Sequence, residues 1–210
     1  LVIACAQQPP YLMNIDKQLY FSKAGNSVIL LHGMWRDSIA MAPMETYLKA
    51  KGFQVYNISY PSDEYSIEEL VAKHLQPKVN AITANNPNET IHFVTHSMGG
   101  ILVRYFLNKQ PVQNLGKVVM LSPPNQGTKL SDFAISMSEN WLGPSGKQLS
   151  AKENSWVKTL GKVNFKLGVI AGNYSTNWIT SWIINDENDG VVAVKDTKVE
   201  GMSDFLVVPE

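Results

Sequence analysis

Short apolar runs alternate along this chain with stretches in which apolar residues return every three or four positions. Ser27 to Leu31 (SVILL) carries no charge and ends at His32-Gly33, the pattern of a strand buried on both faces. Ile39 to Lys51 predicts a helix stopped by Gly52, with Lys49 and Lys51 in its last turn, near the negative end of the helix dipole. Phe53 to Ile58 is the next strand. Ser66 and Glu69 form an S-x-x-E capping box that opens a helix carrying Ile67, Leu70, Val71, His74 and Leu75, and Pro77 kinks or ends it. Ile91 to Thr95 predicts a third strand, followed by Ser97-Met98-Gly99-Gly100 and a helical pattern from Ile101 to Asn108; Lys117 to Leu121 is a fourth strand. This β-α-β-α-β-α-β order is that of an α/β fold, with a mostly parallel central sheet and helices on both faces.

The second half is less regular. From Pro123 to about Phe165 no strand is predicted, and Trp141 and Trp156 stand among polar residues, so a cap-like insertion around 125–165 is expected. Lys166 to Ala171 resumes the strand pattern, Asn173 to Asn188 is rich in turn residues, and Val191–Val194 and Phe205–Val208 are the last strand candidates. No repeat or linker divides residues 27–210, which are expected to form one domain. With 44% hydrophobic and 17% charged residues, the 210-residue chain can bury a sizeable core. Its 18 basic and 18 acidic side chains cancel, which removes any electrostatic case for nucleic acid or an anionic surface as partner. Cys5 is the only cysteine, so an internal disulfide or a cysteine-based zinc site is excluded. Neither a metal nor an organic cofactor is indicated: there is no H-E-x-x-H and no G-x-G-x-x-G after a strand.

Val94-Thr95-His96-Ser97-Met98-Gly99-Gly100 carries the chemistry. A strand entering a tight small-residue turn and then a helix is the context in which a nucleophilic serine is presented at the carboxyl end of a parallel strand. Close packing there needs small residues two before and two after the serine; Gly99 meets the second requirement, and Thr95 replaces the more common glycine at the first. The first buried strand ends in His32-Gly33-Met34, which brings backbone to the same edge of the sheet. Acyl transfer needs two fixed N–H donors for the developing oxyanion, expected from Met98 and Met34. His32 reads as a brace for its loop and His96 as packing beside the turn, while His74 and His92 read as surface or satisfied core.

VILLHGM, VTHSMGG, VVMLSPPNQGT, GPSGKQL and Asp189-Gly190-Val191-Val192 together resemble the α/β-hydrolase superfamily, and within it a bacterial lipase/esterase-like family, over residues 27–210. The resemblance implies the α/β-hydrolase fold, carboxylic-ester hydrolysis, and a nucleophile–acid–histidine order along the chain. Carried over by position, Ser97 matches the nucleophile and Asp189 the acid, with Asp186 and Asp196 as alternatives. The Asp-Gly pair at 189–190 is also a turn signal in any fold. Tryptophans 35, 141, 156, 178 and 182 either wall an acyl site or fill the core.

The resemblance also implies a histidine after the acid, and none follows His96. Without a base, a serine hydroxyl is a poor nucleophile at neutral pH. Two explanations are open: the natural chain continues, with a histidine within a few residues of Glu210, or the protein is a non-catalytic hydrolase-like binding module. Acyl transfer to an acceptor other than water would use the same residues. At the other end, Leu1 to Ala6 reads as the remnant of a signal peptide, and Val2-Ile3-Ala4-Cys5 resembles a lipobox, from which export and a lipid anchor at Cys5 are expected. A small-molecule ester with an apolar acyl group is the expected partner.

Overall fold

The computed structural model describes residues 25–138 and 140–209, so the expected leader remnant and Cys5 lie outside the described residues. Among the described residues six strands form one sheet: β1 (Asn26–Leu31), β2 (Gln54–Ile58), β3 (Thr90–His96), β4 (Leu115–Leu121), β5 (Leu167–Gly172) and β6 (Asp204–Val208). They lie in the order β2-β1-β3-β4-β5-β6, and every neighbouring pair is parallel. The chain moves outward from β1 to β2, then crosses back to place β3 on the other side of β1. The carboxyl ends of β1 and β3 therefore flank the point where the winding reverses, the crevice in which open α/β sheets hold their ligands.

β1 is buried along its whole length, as its uncharged run predicts. Its alternate residues serve two layers: Ile29 and Leu31 join the larger core, while Val28 and Leu30 join a smaller one with Met41, Met44 and Leu48. The smaller layer is closed by a 3-10 turn (Ser38–Met41) and α1 (Ala42–Ala50), with proline in its first turn. The larger is closed by α2 (Ile67–Leu70), α3 (Gln76–Asn85) and α4 (Met98–Lys109). The Ser66–Glu69 capping box forms as expected. Pro77, in the first turn of α3, makes its kink through a π turn at Val71–Leu75.

Between β4 and β5 the insertion contains α5 (Lys129–Met137), α6 (Gly143–Lys147) and a 3-10 turn at Trp156–Leu160, with no strand among its described residues. Two expectations are corrected after β5. The turn-rich stretch 173–188 contains α7 (Trp178–Ile184), capped by the Asn177 side chain. Val191–Val194 is not a strand: only an isolated bridge joins Asn188 to Ala193, and a 3-10 turn (Val194–Thr197) follows directly. Val192, Ala193 and Val194 are buried within this loop, and the sheet position beside β5 is taken by β6. Among the described residues no helix is long and apolar enough to cross a membrane.

Candidate active site

Ser97 occupies the single position between β3 and α4, with φ 51° and ψ −123°. A non-glycine residue there is strained by about 1–3 kcal/mol, so the surroundings must hold it. They do so at both backbone groups: Ser97 N–H donates to Leu121 O at the end of β4 (2.8 Å), and Ser97 O accepts from Gly100 N–H (3.0 Å). The helix can start this close to the sheet because of Gly99, where a Cβ would sit 2.8 Å from the carbonyl oxygens of both Leu31 and His32. Thr95 is fully buried at its own position, its hydroxyl without a partner among the described residues.

The loop after β1 faces this turn. A Cβ on Gly33 would lie 3.1 Å from Ser97 Cβ and 3.0 Å from His96 Nδ1, so glycine keeps the space beside the serine open. His32, fully buried, braces the loop: Nδ1–H donates to Gly33 O (2.8 Å), Nε2 accepts from Tyr60 N–H (3.3 Å), and the ring stacks on Tyr60 at 4.0 Å. Tyr60 O–H in turn donates to His32 O. Burial lowers the His32 pKa, which favours the neutral ring that this pairing needs. Trp35 follows in left-handed backbone (φ 55°), its N–H held by Ser62 Oγ at 2.8 Å. The Met34 and Met98 amides point to no protein acceptor among the described residues. Met98 is in the first turn of α4, where N–H groups have no intrahelical partner.

Asp189 lies in the loop after α7. Its Oδ1 accepts from Val191 N–H (2.9 Å) and Val192 N–H (2.8 Å), which leaves the other oxygen unengaged by the described residues. The His96 pKa is lowered, first by burial, and partly restored by the Asp189 carboxylate. The alternatives differ. Asp186 is exposed and paired with Lys195, which lowers its pKa. Asp196 is half-buried with a raised pKa, chiefly from burial. None of the four histidines hydrogen-bonds Ser97 or Asp189 within the described residues. His92 is satisfied core, with Nε2–H donating to Asn26 Oδ1 (3.0 Å) and Nδ1 accepting from Lys117 N–H (3.0 Å), and His74 packs on Tyr65.

The tryptophans divide. Trp156 packs against Tyr105 and the larger core, while Trp35, Trp141, Trp178 and Trp182 are exposed. A cavity of about 250 Å³ lined by Val71, Tyr105, Phe106 and Lys109 includes none of the site residues.

Solved structures share this architecture. The mature Bacillus licheniformis lipase BlEst2 superposes with TM-score 0.70 at 19% identity, covering 86% of this chain and 82% of that one. The metagenomic carboxyl esterase MGS0156 gives 0.68 at 20% identity, with 88% and 63% covered. These likenesses establish the α/β-hydrolase fold. In sequence, triacylglycerol lipase 2 of Saccharomyces cerevisiae is 26% identical over 102 residues, 46% of this chain and 31% of that protein, so the match spans about a third of the relative. A family model described as palmitoyl protein thioesterase matches residues 27–176, from β1 through the loop after β5. On that match, which takes in most of its length, the chain belongs to the palmitoyl protein thioesterase family.

Proposed function

We propose that this chain is a serine hydrolase that cleaves carboxylic esters or thioesters of apolar acyl groups through an acyl-enzyme on Ser97. The observation that carries the reading is the strained Ser97 turn, clamped through both its backbone groups and facing Gly33. Family membership and the names of the lipase and esterase relatives support the reaction class.

In this reaction Ser97 Oγ attacks the acyl carbonyl carbon as its proton passes to a base, and the Met34 and Met98 N–H groups receive the oxyanion. Collapse of the tetrahedral intermediate expels the alcohol or thiol, which takes up that proton, and water then releases the acid by the same steps. Asp189 orients the base through its unengaged oxygen. In this reading the base acts at the carboxyl edge of the sheet, the edge that holds Ser97 and toward which β6, parallel to β3, also runs. The Cys5 lipobox, carried into this reading, attaches the enzyme to a membrane, which mass spectrometry of the N-terminal peptide tests.

A fluorophosphonate probe applied to the full-length protein labels Ser97, and Ser97→Ala lowers kcat roughly 10⁴–10⁶-fold on p-nitrophenyl or coenzyme A acyl substrates. A full-length protein that neither labels nor turns over any of these substrates overturns the proposal. Ligand binding that survives Ser97→Ala in such a protein would make it a non-catalytic binder, and product analysis separates hydrolysis from acyl transfer.

A further inference from the structure

Arg104 is the charged member of an otherwise apolar helix face. It lies two turns after Ser97 on α4, is 1% exposed, and sits among buried Ile101, Leu102, Val103 and Phe106. No carboxylate pairs with it among the described residues, and its Nε has no acceptor. Burial lowers its pKa to about 10, so it stays charged at neutral pH. A methionine or leucine would fill such a site without the desolvation cost of a lone cation, so the use of arginine points to what its fork reaches.

The fork reaches loops. Nη1 donates to both the backbone O (2.9 Å) and Oδ1 (3.0 Å) of Asn125, and Nη2 donates to Gly161 O (2.7 Å). Asn125 is itself fully buried, and its Nδ2–H donates onward to Thr197 O at 2.7 Å. Beside it, Gln126 N–H donates to Asp196 O (2.9 Å) and Gln126 Nε2–H to Lys198 O (3.0 Å), while Thr128 Oγ–H donates to Val191 O. The segment held in this way, 187–198, is the one that carries Asp189. It has no strand of its own, only a single bridge and a 3-10 turn. Backbone and side-chain bonds from the loop after β4 hold it, and Arg104 anchors that loop to the nucleophile's helix.

We propose that Arg104 is a positioning residue: acting through Asn125, it fixes the Asp189 loop relative to the helix that presents Ser97. The inference rests on the hydrolase reading above and names how its site is held in register.

The test is a double-mutant cycle in the full-length protein, using p-nitrophenyl butyrate and fluorophosphonate titration to count competent Ser97. Arg104→Lys keeps the charge and loses the fork. It lowers kcat per titrated site about 10–100-fold with KM within about twofold, and costs less than about threefold more in an Asp189→Asn background, because the two changes disable one unit. Asn125→Asp supplies a second variant. It keeps both acceptors for Arg104 and gives it a counter-ion, but loses the donor to Thr197, and it lowers kcat about 10-fold at an unchanged titrated fraction. An equal fold-loss for Arg104→Lys in both backgrounds, or full kcat in Asn125→Asp, reduces Arg104 to a stability role and overturns the inference alone. An Asp189→Asn variant as active as the parent overturns both the acid assignment and the inference, whereas an inert, unlabelled parent overturns the hydrolase reading itself.

Discussion

Ser97 and Gly99 show how little room the turn has. The serine's left-handed backbone is tolerated because the carbonyl of Leu121 and the amide of Gly100 hold it, and the helix behind it starts within contact distance of the Leu31 and His32 carbonyls. Gly99→Ala pushes a methyl group against two backbone oxygens, and we expect a loss of about 1–3 kcal/mol. At roughly 2–4 °C per kcal/mol for a domain of this size, calorimetry will read it as a drop of several degrees. The turn is legible in the sequence because its chemistry is local: strand, small residues and helix follow one another. The Arg104–Asn125 pair and the Tyr60 and Ser62 braces are not, since their partners are mostly backbone groups from segments distant in sequence. The one available signal was a lone cation in the apolar run Ile101 to Phe106.

Among the elements, the junction of β3 and β4 departs most from regular pairing. The register shifts between Ile91 and Phe93, so that His92 on β3 faces both Gly116 and Lys117 on β4, and the displaced Lys117 N–H donates to His92 Nδ1. Gly116 is required there, since a Cβ would lie 2.4 Å from His92 Cε1. Burial, the larger cause, holds the His92 pKa at about 4, against 6.5 for the free side chain. The folded chain therefore binds fewer protons than the unfolded one across this interval, and stability present above about pH 6.5 is lost as the pH falls toward 4. Thermal melts between pH 7 and 4 will show this decline, and His92→Gln will make it shallower. A residual slope remains from His32 and His96, which burial also shifts downward. The strands from β1 to β5 are legible to within a residue or two because their burial follows the chain's own apolar runs. Val191–Val194 misleads because its run is equally apolar, yet packs as loop against a sheet already completed by β6. The helix α7 hides among turn residues, with Trp178, Ile179 and Trp182 turned outward.

For the molecule as a whole, the insertion is tied down rather than loosely appended. Ser145 O–H donates to Ser62 O (2.6 Å), Gln148 Oε1 accepts from Ile67 N–H (2.7 Å), and Gln148 Nε2–H donates to Glu68 Oε2 (2.6 Å). The most exposed aromatic side chains are on α7, where Trp178 and Trp182 are each 77% exposed. Replacing both by serine should leave stability within about 0.5 kcal/mol, because neither is buried. In the proposed hydrolase it should lower the preference for long over short p-nitrophenyl acyl esters several-fold, measured as the ratio of kcat/KM values. With acidic and basic groups balanced and a pI of about 7.1, solubility should pass through its minimum near neutral pH, and precipitation titrations between pH 5 and 9 will locate it. The all-parallel sheet also gives the protein a front and a back. Ser97 stands at the carboxyl rim, while the exposed turn residues Asn88 and Gln113 precede β3 and β4 at the amino rim, roughly 20 Å away along the strands. A dye, resin or electrode coupled at either position would hold every molecule by its back and leave its chemistry facing the solution.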